Sequence, residues 1–186
     1  MEPIDLEIVR DDVISFMNDF IRAADLPLQA SRIDDDIYRK LHKLSSGEID
    51  WDWAVQFLNK NEHFDFAIGI QLNDSVDGLA IGIYQHESEI LEIQAVESFV
   101  RLKEEHPLRG RMVELTIVAA TYFVTLVSGK GIHIIDPLDA GLISYYEKFG
   151  FRLDASYDET CVKRMVSDLD DQIERLRILI DKYQVK

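Results

Sequence analysis

The sequence is poor in the residues that build disulfides, metal clusters and linkers. It has one cysteine, Cys161, in 186 residues, so no disulfide can form within the chain. Its five histidines are scattered without the spacing of a zinc site, and we expect no metal. Four isolated prolines and no low-complexity stretch predict a single domain over 1–186. Within it we expect a helical N-terminal part (1–60), a core (61–166) and a C-terminal helix (167–186).

Long apolar runs and a targeting segment are also lacking. The longest mostly apolar run, Leu115 to Val127, is shorter than the ~20 residues that span a bilayer. The N-terminus has no basic segment followed by an apolar one, as a secretory signal would require. These absences predict a cytoplasmic protein with no membrane partner.

Basic residues are scarce, and their distribution is uneven. The formal charge is −15, from 20 Lys and Arg against 35 Asp and Glu. Residues 61–100 contain eight acids and no Lys or Arg, whereas residues 101–112 form a small basic island that contains Arg101, Lys103, Arg109 and Arg111. Because nucleic acids bind basic surfaces, a nucleic-acid partner is not expected. With 47% hydrophobic residues, however, the chain can still build a full core.

Hydrophobic periodicity changes along the chain. Spacing near 3.6 predicts three N-terminal helices: one around 13–21, one that Ser31 caps and that runs up to Ser46-Gly47, and one over 49–59. Alternation then predicts strands over 64–70 and 79–84, and a longer strand over 90–102 with a β-bulge near Ala95 and Val96. The N-terminal half is thus predicted to pass from helices to an antiparallel sheet.

The second half alternates helices and short strands. Residues 112–127 are too long for a typical strand and end at Ser128-Gly129, which favours a buried helix. A strand over 132–135, a helix over 138–149 and a closing hairpin of 151–153 with 160–165 follow. Ser167 is predicted to cap a last helix. The sum is an α+β (mixed α/β) fold with a mixed central sheet flanked by helices.

The most specific motif lies in the segment from Asp136 to Phe151. Its end reads Tyr-Glu-Lys-Phe-Gly-Phe at 146–151, and it closely resembles the closing motif of the GNAT superfamily of acetyl-CoA-dependent N-acetyltransferases. The predicted order of elements from about Phe64 to Met165 also resembles that family. The resemblance implies a GNAT-like acyltransferase fold, to which the helical N-terminal region and the C-terminal helix are additions.

A second motif is the loop from His106 to Met112, which opens a helix. A glycine there lets backbone N–H groups approach a pyrophosphate, and the helix start adds partial positive charge. The loop resembles the acyl-CoA loop of the family, except that Pro107 and Met112 replace its first and last positions. The resemblance implies cofactor contacts from Arg109, Gly110, Arg111 and Met112, and from Asp139, which takes the position of a family asparagine.

The resemblance also implies a mechanism in which a bound amine attacks acetyl-CoA directly, without an acyl-enzyme. Tyr146 then corresponds to the family's acid, with Tyr145 as a weaker candidate. Glu97 on the strand before the loop is the candidate base, and Glu92 is the reserve. In the family that strand pairs with the pantetheine arm, which here implicates Val100 to Leu102.

The charge distribution suggests the acceptor. In the family the acceptor usually lies beside the early helices and antiparallel strands. Residues 61–100, the base-free stretch, are expected in the same place. We therefore expect a cationic amine: a polyamine, an aminoglycoside-like compound, or a lysine or N-terminus of a basic peptide. The carboxylates expected on that side are Asp65, Asp74, Asp77, Glu87, Glu89, Glu92 and Glu97.

Three further questions stay open in the sequence. The apolar stripe of the last helix fits packing within the monomer or pairing in a homodimer. The departures at Pro107, Met112 and Asp139 also fit a GNAT-like module that has lost catalysis and acts by binding. Thirdly, an acidic protein could instead occupy a basic partner by imitating nucleic-acid charge.

Overall fold

The computed structural model describes residues 4–41, 49–51, 64–154 and 163–184. Most of the predicted third helix, the end of the second and the first residues of the last predicted strand, with Cys161, lie outside the described residues. No helix within the described ranges is both long and apolar enough to cross a membrane.

The chain begins with helix α1 (Leu6–Ala23), strand β1 (Gln29–Ser31) and helix α2 (Asp35–Leu41). The prediction that Ser31 caps the second helix is wrong, because Ser31 pairs with Gly69 in the sheet. Asp34 takes that role: its Oδ1 accepts a hydrogen bond from Ile37 N at 2.8 Å. Three strand residues are too few for alternation to reveal, so β1 was not predicted.

In the described residues β1 is followed by the strands β2 (Phe66–Leu72), β3 (Ser75–Gln85), β4 (Ile90–Ser98), β5 (Gly131–Ile135), β6 (Arg152–Leu153) and β7 (Arg164–Asp168). These strands form one mixed sheet in the order β1-β2-β3-β4-β5-β7-β6. The pair β4 and β5 is parallel and all other neighbours are antiparallel. This arrangement confirms the predicted mixed α+β class.

Strand β4 contains the predicted bulge, one residue before the expected place. Ile81 pairs with Ala95 and Gly82 pairs with Ile93, so Gln94 is the extra residue. Because Gln94 is an extra residue, Ile93 before it and Ala95 after it face opposite sides of the sheet. Ile93 packs in one hydrophobic core, and Ala95 packs in the core on the other side. The prediction of a strand as far as Leu102 is wrong, because β4 ends at Ser98 and turns follow.

Three further helices lie in the described residues: α3 (Met112–Leu126), α4 (Ala140–Glu147) and α5 (Leu169–Gln184). Helix α3 is buried along most of its length, and the hydroxyls of Thr116, Thr121 and Thr125 donate to backbone carbonyls one turn earlier. The capping role predicted for Ser167 is wrong. Ser167 lies in β7, paired with Ile132, and its hydroxyl accepts from Gln172 Nε2 at 2.8 Å.

Two hydrophobic cores hold the sheet. The larger includes residues of α1, α3 and one face of the sheet, and α5 packs against it. The smaller lies around Leu41, Trp51 and Phe64 with Leu79 and Ile81 of β3. The strand pair β4 and β5 contributes to the larger core and opens at one end.

Candidate functional site

A cleft lies between β4 and β5, where their pairing stops. The parallel register runs from Ile90 with Gly131 to Ile93 with Ile134 and goes no further, although β4 continues to Ser98. The cleft has a volume of about 360 Å³. Crevices at the carboxyl ends of parallel strands are common ligand sites. Its apolar lining includes Ile93, Val96, Ile134, Ile135, Pro137 and Leu142, and its polar lining is Gln94, Asp136 and Tyr146.

Tyr146, the predicted acid, lines this cleft from helix α4. Its side chain is buried, with the ring packed edge-on against Phe151 at 6.4 Å between centroids. Burial, and to a smaller extent Tyr145, raises the pKa of the Tyr146 phenol to about 12. Its hydroxyl has no hydrogen-bond partner among the described residues. The phenol is therefore neutral at pH 7 and is available to donate to a ligand.

Local contacts fix the position of α4. Asp139 caps its N-terminus by accepting from Leu142 N at 2.8 Å. At the other end Gly150 adopts φ +87°, and an added Cβ there would collide with the guanidinium of Arg175 on α5. Gln172, also on α5, donates to Phe149 O at 2.9 Å. The C-terminal helix, which lies outside the family motif, thus holds the helix that carries Tyr146.

The basic loop of the second motif is a series of turns that ends at the start of α3. Gly110 adopts φ +71° and is exposed, as is Arg109. Arg111 occupies the N-cap position, and no side chain caps the helix there. Uncapped N–H groups and two arginines make this helix start suitable for an anion. The side chain of Met112 is buried against Gly78, so only its backbone N–H can serve a ligand.

Tyr145 connects the basic loop to the cleft. Its hydroxyl donates to Gly110 O at 3.3 Å, while the next residue, Tyr146, lines the cleft. Burial raises the pKa of the Tyr145 phenol, with a smaller contribution from Glu114. The contact with Gly110 places the basic loop and the helix with the acid candidate side by side.

A buried pair that sequence reasoning missed anchors the loop. His106 Nε2 lies 3.5 Å from Asp77 Oδ2, and both side chains are nearly buried. His106 Nδ1 accepts from Leu108 N at 3.2 Å, and Leu108 is fully buried. The same Asp77 oxygen accepts from Leu72 N at 2.8 Å. The two residues are 29 positions apart, and no local pattern could have paired them.

Glu97, the predicted base, lies beside the cleft rather than in its lining. It is buried, and its Oε2 accepts from Trp51 Nε1 at 2.8 Å and from Ile49 N at 3.4 Å. Ile49 itself lines the cleft. Burial raises the pKa of the Glu97 carboxyl, against the opposing effect of the Trp51 and Ile49 donors. The reserve base, Glu92, accepts from Gln85 Nε2 at 2.9 Å and does not line the cleft.

Two further predicted contacts rest on an incorrect strand. Val100 and Leu102 lie in the turns after β4, where Val100 is buried and Leu102 is 85% exposed. Neither can extend the edge of β4 opposite β5. The β4 edge without a β5 partner consists of residues 94–98 instead.

The seven carboxylates expected beside the acceptor form no part of this cleft's lining, and their relation to the acceptor stays a prediction. Asp65 accepts from Tyr84 N, Asp77 anchors the basic loop, and Glu97 accepts from Trp51. The carboxylate that does line the cleft is Asp136, directly after β5.

Comparison with solved structures supports the fold described above. A mutant form of the spermidine/spermine N-acetyltransferase SpeG from Vibrio cholerae superposes with TM-score 0.59 at 18% identity, over 80% of this chain and 98% of that one. A dodecameric spermidine N-acetyltransferase from the same organism gives 0.58 at 18% identity, with the same coverage of both chains.

Ard1 from Thermoplasma volcanium gives a TM-score of 0.53 at 14% identity, over 77% of this chain and 98% of that one. No protein-family model and no curated protein matches the sequence. At these identities the likeness establishes architecture. The chain has the fold of the GNAT N-acetyltransferases, as its closing motif indicates.

Proposed function

We propose that the protein is an N-acetyltransferase that transfers an acetyl group from acetyl-CoA to a primary amine. The observation that carries the proposal is the cleft between the separated ends of β4 and β5. Tyr146 lines it with an unpartnered hydroxyl, and Tyr145 contacts the basic loop. The solved structures named as N-acetyltransferases add support through their common fold. The reaction as proposed needs no metal.

The free edge of β4 is where the pantetheine arm is proposed to bind. Residues 94–98 have backbone groups on the β5 side that β5 does not pair. An extended arm with amide groups can add to such an edge like a short strand. The apolar lining of the cleft suits the methylene and methyl groups of the arm. This assignment replaces Val100 and Leu102 with the bulged segment.

The pyrophosphate is proposed to bind at the start of α3. Arg109 and Arg111 supply positive charge, and the N–H groups of Gly110 and Met112 lie at the uncapped helix start. Arginines placed there oppose the helix dipole unless an anion binds. Asp139 is a poorer candidate for a cofactor contact, because its Oδ1 already accepts from Leu142 N.

The proposed reaction joins the amine nitrogen to the acetyl carbon and breaks the carbon–sulfur bond, so the sulfur becomes negative. Tyr146 is proposed to donate a hydrogen bond to that sulfur as the charge develops. Because its pKa is about 12, well above that of an ordinary thiol, hydrogen bonding rather than complete proton transfer is its main contribution. The thiolate can take its final proton from water.

Glu97 is proposed as the base that receives the proton lost by the amine. A carboxyl with a raised pKa holds a proton more readily near neutral pH, as a general base must. Glu97 does not line the cleft, so the proton has to reach it through water past Ile49. Glu92 stays in reserve, because its hydrogen bond to Gln85 holds it away from the cleft.

Tyr146→Phe tests the proposal. We expect a fall in kcat of about tenfold or more, because the variant lacks the donor to the leaving sulfur. Calorimetry should give an unchanged Kd for acetyl-CoA. The matched control is Tyr122→Phe, whose ring stacks on Phe16 outside the cleft. An unaltered kcat in Tyr146→Phe would contradict the role of Tyr146.

The same measurements separate the second candidate, a GNAT-like module that binds without catalysis. Its support is structural: Asp139 is engaged as a helix cap and Met112 is buried, so two family contacts are altered. Such a module would bind acetyl-CoA and acetylate no amine in a broad panel. Measurable turnover of any primary amine rules it out.

A further inference from the structure

Asp136 is the one charged residue among the described residues that line the cleft. It follows β5 directly and is exposed, whereas Tyr146 lies buried in the same lining. The other lining residues are apolar or neutral, and none of them can balance a cation. A positively charged group that approaches this part of the cleft therefore meets a single carboxylate.

The backbone of Asp136 is held in a conformation that few residues adopt. Its φ is +49°, in the left-handed region, and its N–H donates to Lys163 O at 2.7 Å. That bond ties the end of β5 to the residue before β7. Asp and Asn tolerate this region better than most side chains, and such positions are frequent at ligand sites. The backbone that carries the Asp136 carboxylate is thus held at the end of β5 by its bond to the segment before β7.

The carboxylate itself has no ion pair and no hydrogen-bond partner in the described part of the chain. Neighbouring Asp139 differs, because its Oδ1 caps α4. The described carboxylates of the base-free stretch differ as well, because none of them lines the cleft. Asp136 is therefore the carboxylate best placed to attract an acceptor.

The chemistry limits which nitrogen such a carboxylate can usefully bind. A carboxylate against the attacking amine would stabilise its ammonium form, which has no lone pair to attack with. The same attraction on a second ammonium, away from the reacting nitrogen, holds the acceptor without lowering its reactivity. The exposed position of Asp136 suits this second group.

We propose that Asp136 is a specificity-determining residue that binds a non-reacting ammonium of the acceptor, so that the cleft selects amines with two or more positive charges. This inference rests on the proposed acetyl transfer and adds the substrate class. It places the selection for cations at the end of β5, and not along the acidic stretch of residues 61–100.

The test compares two acceptors, 1,4-diaminobutane and n-butylamine, which differ in the second ammonium. Wild type should show a higher kcat/KM for the diamine. In Asp136→Asn the ratio of the two kcat/KM values should fall about fivefold, the size expected of one partly exposed charge pair. Asparagine tolerates the same backbone conformation, so the fold should be kept.

Asp25→Asn is the matched control. Asp25 is also exposed and also adopts positive φ, +57°, but it lies after α1 and outside the cleft lining. The control should keep the wild-type ratio, and both variants should keep the wild-type Kd for acetyl-CoA in calorimetry. This combination separates a local role of Asp136 from a change in net charge or in folding.

Each outcome decides between the proposals. A ratio unchanged in Asp136→Asn, or an equal fall for both amines, overturns the selection by Asp136. A wild type that acetylates both amines equally, or that binds acetyl-CoA and acetylates neither, overturns it too. A wild type that fails to bind acetyl-CoA overturns the proposed function itself, which calorimetry detects before any amine is added.

Discussion

The basic island (101–112) and the base-free stretch (61–100) both have an unusual charge composition. They differ in whether their charged side chains have partners within the described protein. Arg109 is exposed beside an uncapped helix start and has no ion-pair partner among the described residues. Asp65, Asp77 and Glu97 instead accept hydrogen bonds within the sheet and its turns. A run of charge therefore indicates a site only where the protein leaves that charge without internal partners.

The two regions are also physically linked. Asp77 belongs to the base-free stretch and lies 3.5 Å from His106, which belongs to the island. Removal of this link should have the largest effect on stability, since the Leu72 N–H loses its acceptor in a nearly buried site. We expect Asp77→Ala to lower the free energy of unfolding by about 2–3 kcal/mol. Urea denaturation measures it.

Asp74→Ala provides the control for that prediction. Asp74 lies in the turn between β2 and β3, shortly before Asp77, and is exposed, so its replacement should change stability by less than about 0.5 kcal/mol. An equal loss of free energy of unfolding in the two variants would contradict this prediction. It would mean that the contacts of Asp77 with His106 and Leu72 stabilise the protein no more than an exposed carboxylate does.

Glu97 gives the next largest effect. Glu97→Ala leaves Trp51 Nε1 buried without its acceptor, and we expect a loss of about 2 kcal/mol. Glu97→Gln keeps an oxygen acceptor and should lose little. If the Gln variant is as unstable as the Ala variant, the negative charge matters more than the hydrogen bond to Trp51.

Glu97 is also expected to make the stability of the protein depend on pH. A carboxyl with a raised pKa in the folded state holds its proton after the unfolded chain has released it. Wild type should therefore lose stability as the pH rises from the ordinary value of 4.5 through the raised pKa. Glu97→Gln lacks this loss, so its stability relative to wild type should increase over that interval. Urea denaturation across this pH range checks the sign, and a relative decrease would contradict it.

The smallest effect is expected from exposed charges of the stretch. The double variant Asp74→Asn/Glu87→Gln removes two negative charges from turns, outside the cleft lining. Its kcat/KM for 1,4-diaminobutane should stay within about twofold of wild type, since surface charges act weakly at a distance. If kcat/KM falls as much as is expected for Asp136→Asn, the base-free stretch as a whole, and not Asp136, selects cationic acceptors.

The sequence predicted the architecture well where its patterns were long. The buried helix from Met112 and the helix ended by Gly150 carried strong periodic or terminal signals, and the structure confirms both. The bulge in β4 was predicted within a residue. Short elements such as β1 and precise ends, such as that of β4 at Ser98, depend on sheet pairing that no local pattern specifies.

The candidate site was predictable only in part. The family motif placed Tyr146, and the structure brings it to the cleft. Asp136 lies in the same segment, but no pattern in the sequence was a reason to select it. What distinguishes Asp136 is that the other described residues that line the cleft are uncharged. The contact of His106 with Asp77 likewise joins distant parts of the chain. Asp136, His106 and Asp77 are distinguished by their neighbours in the folded structure, and their residue types alone do not reveal this.

The central claim is that the basic island holds the anionic part of acetyl-CoA beside the cleft, and calorimetry with acetyl-CoA tests it most directly. We expect wild type to bind one equivalent, and Arg109→Ala/Arg111→Ala to bind about tenfold or more weakly, since the two arginines proposed to contact the pyrophosphate are removed. Lys103→Ala, an exposed base of the same island in an earlier turn, should bind like wild type. Absence of binding by wild type, or equal affinity of the double variant, would contradict the account.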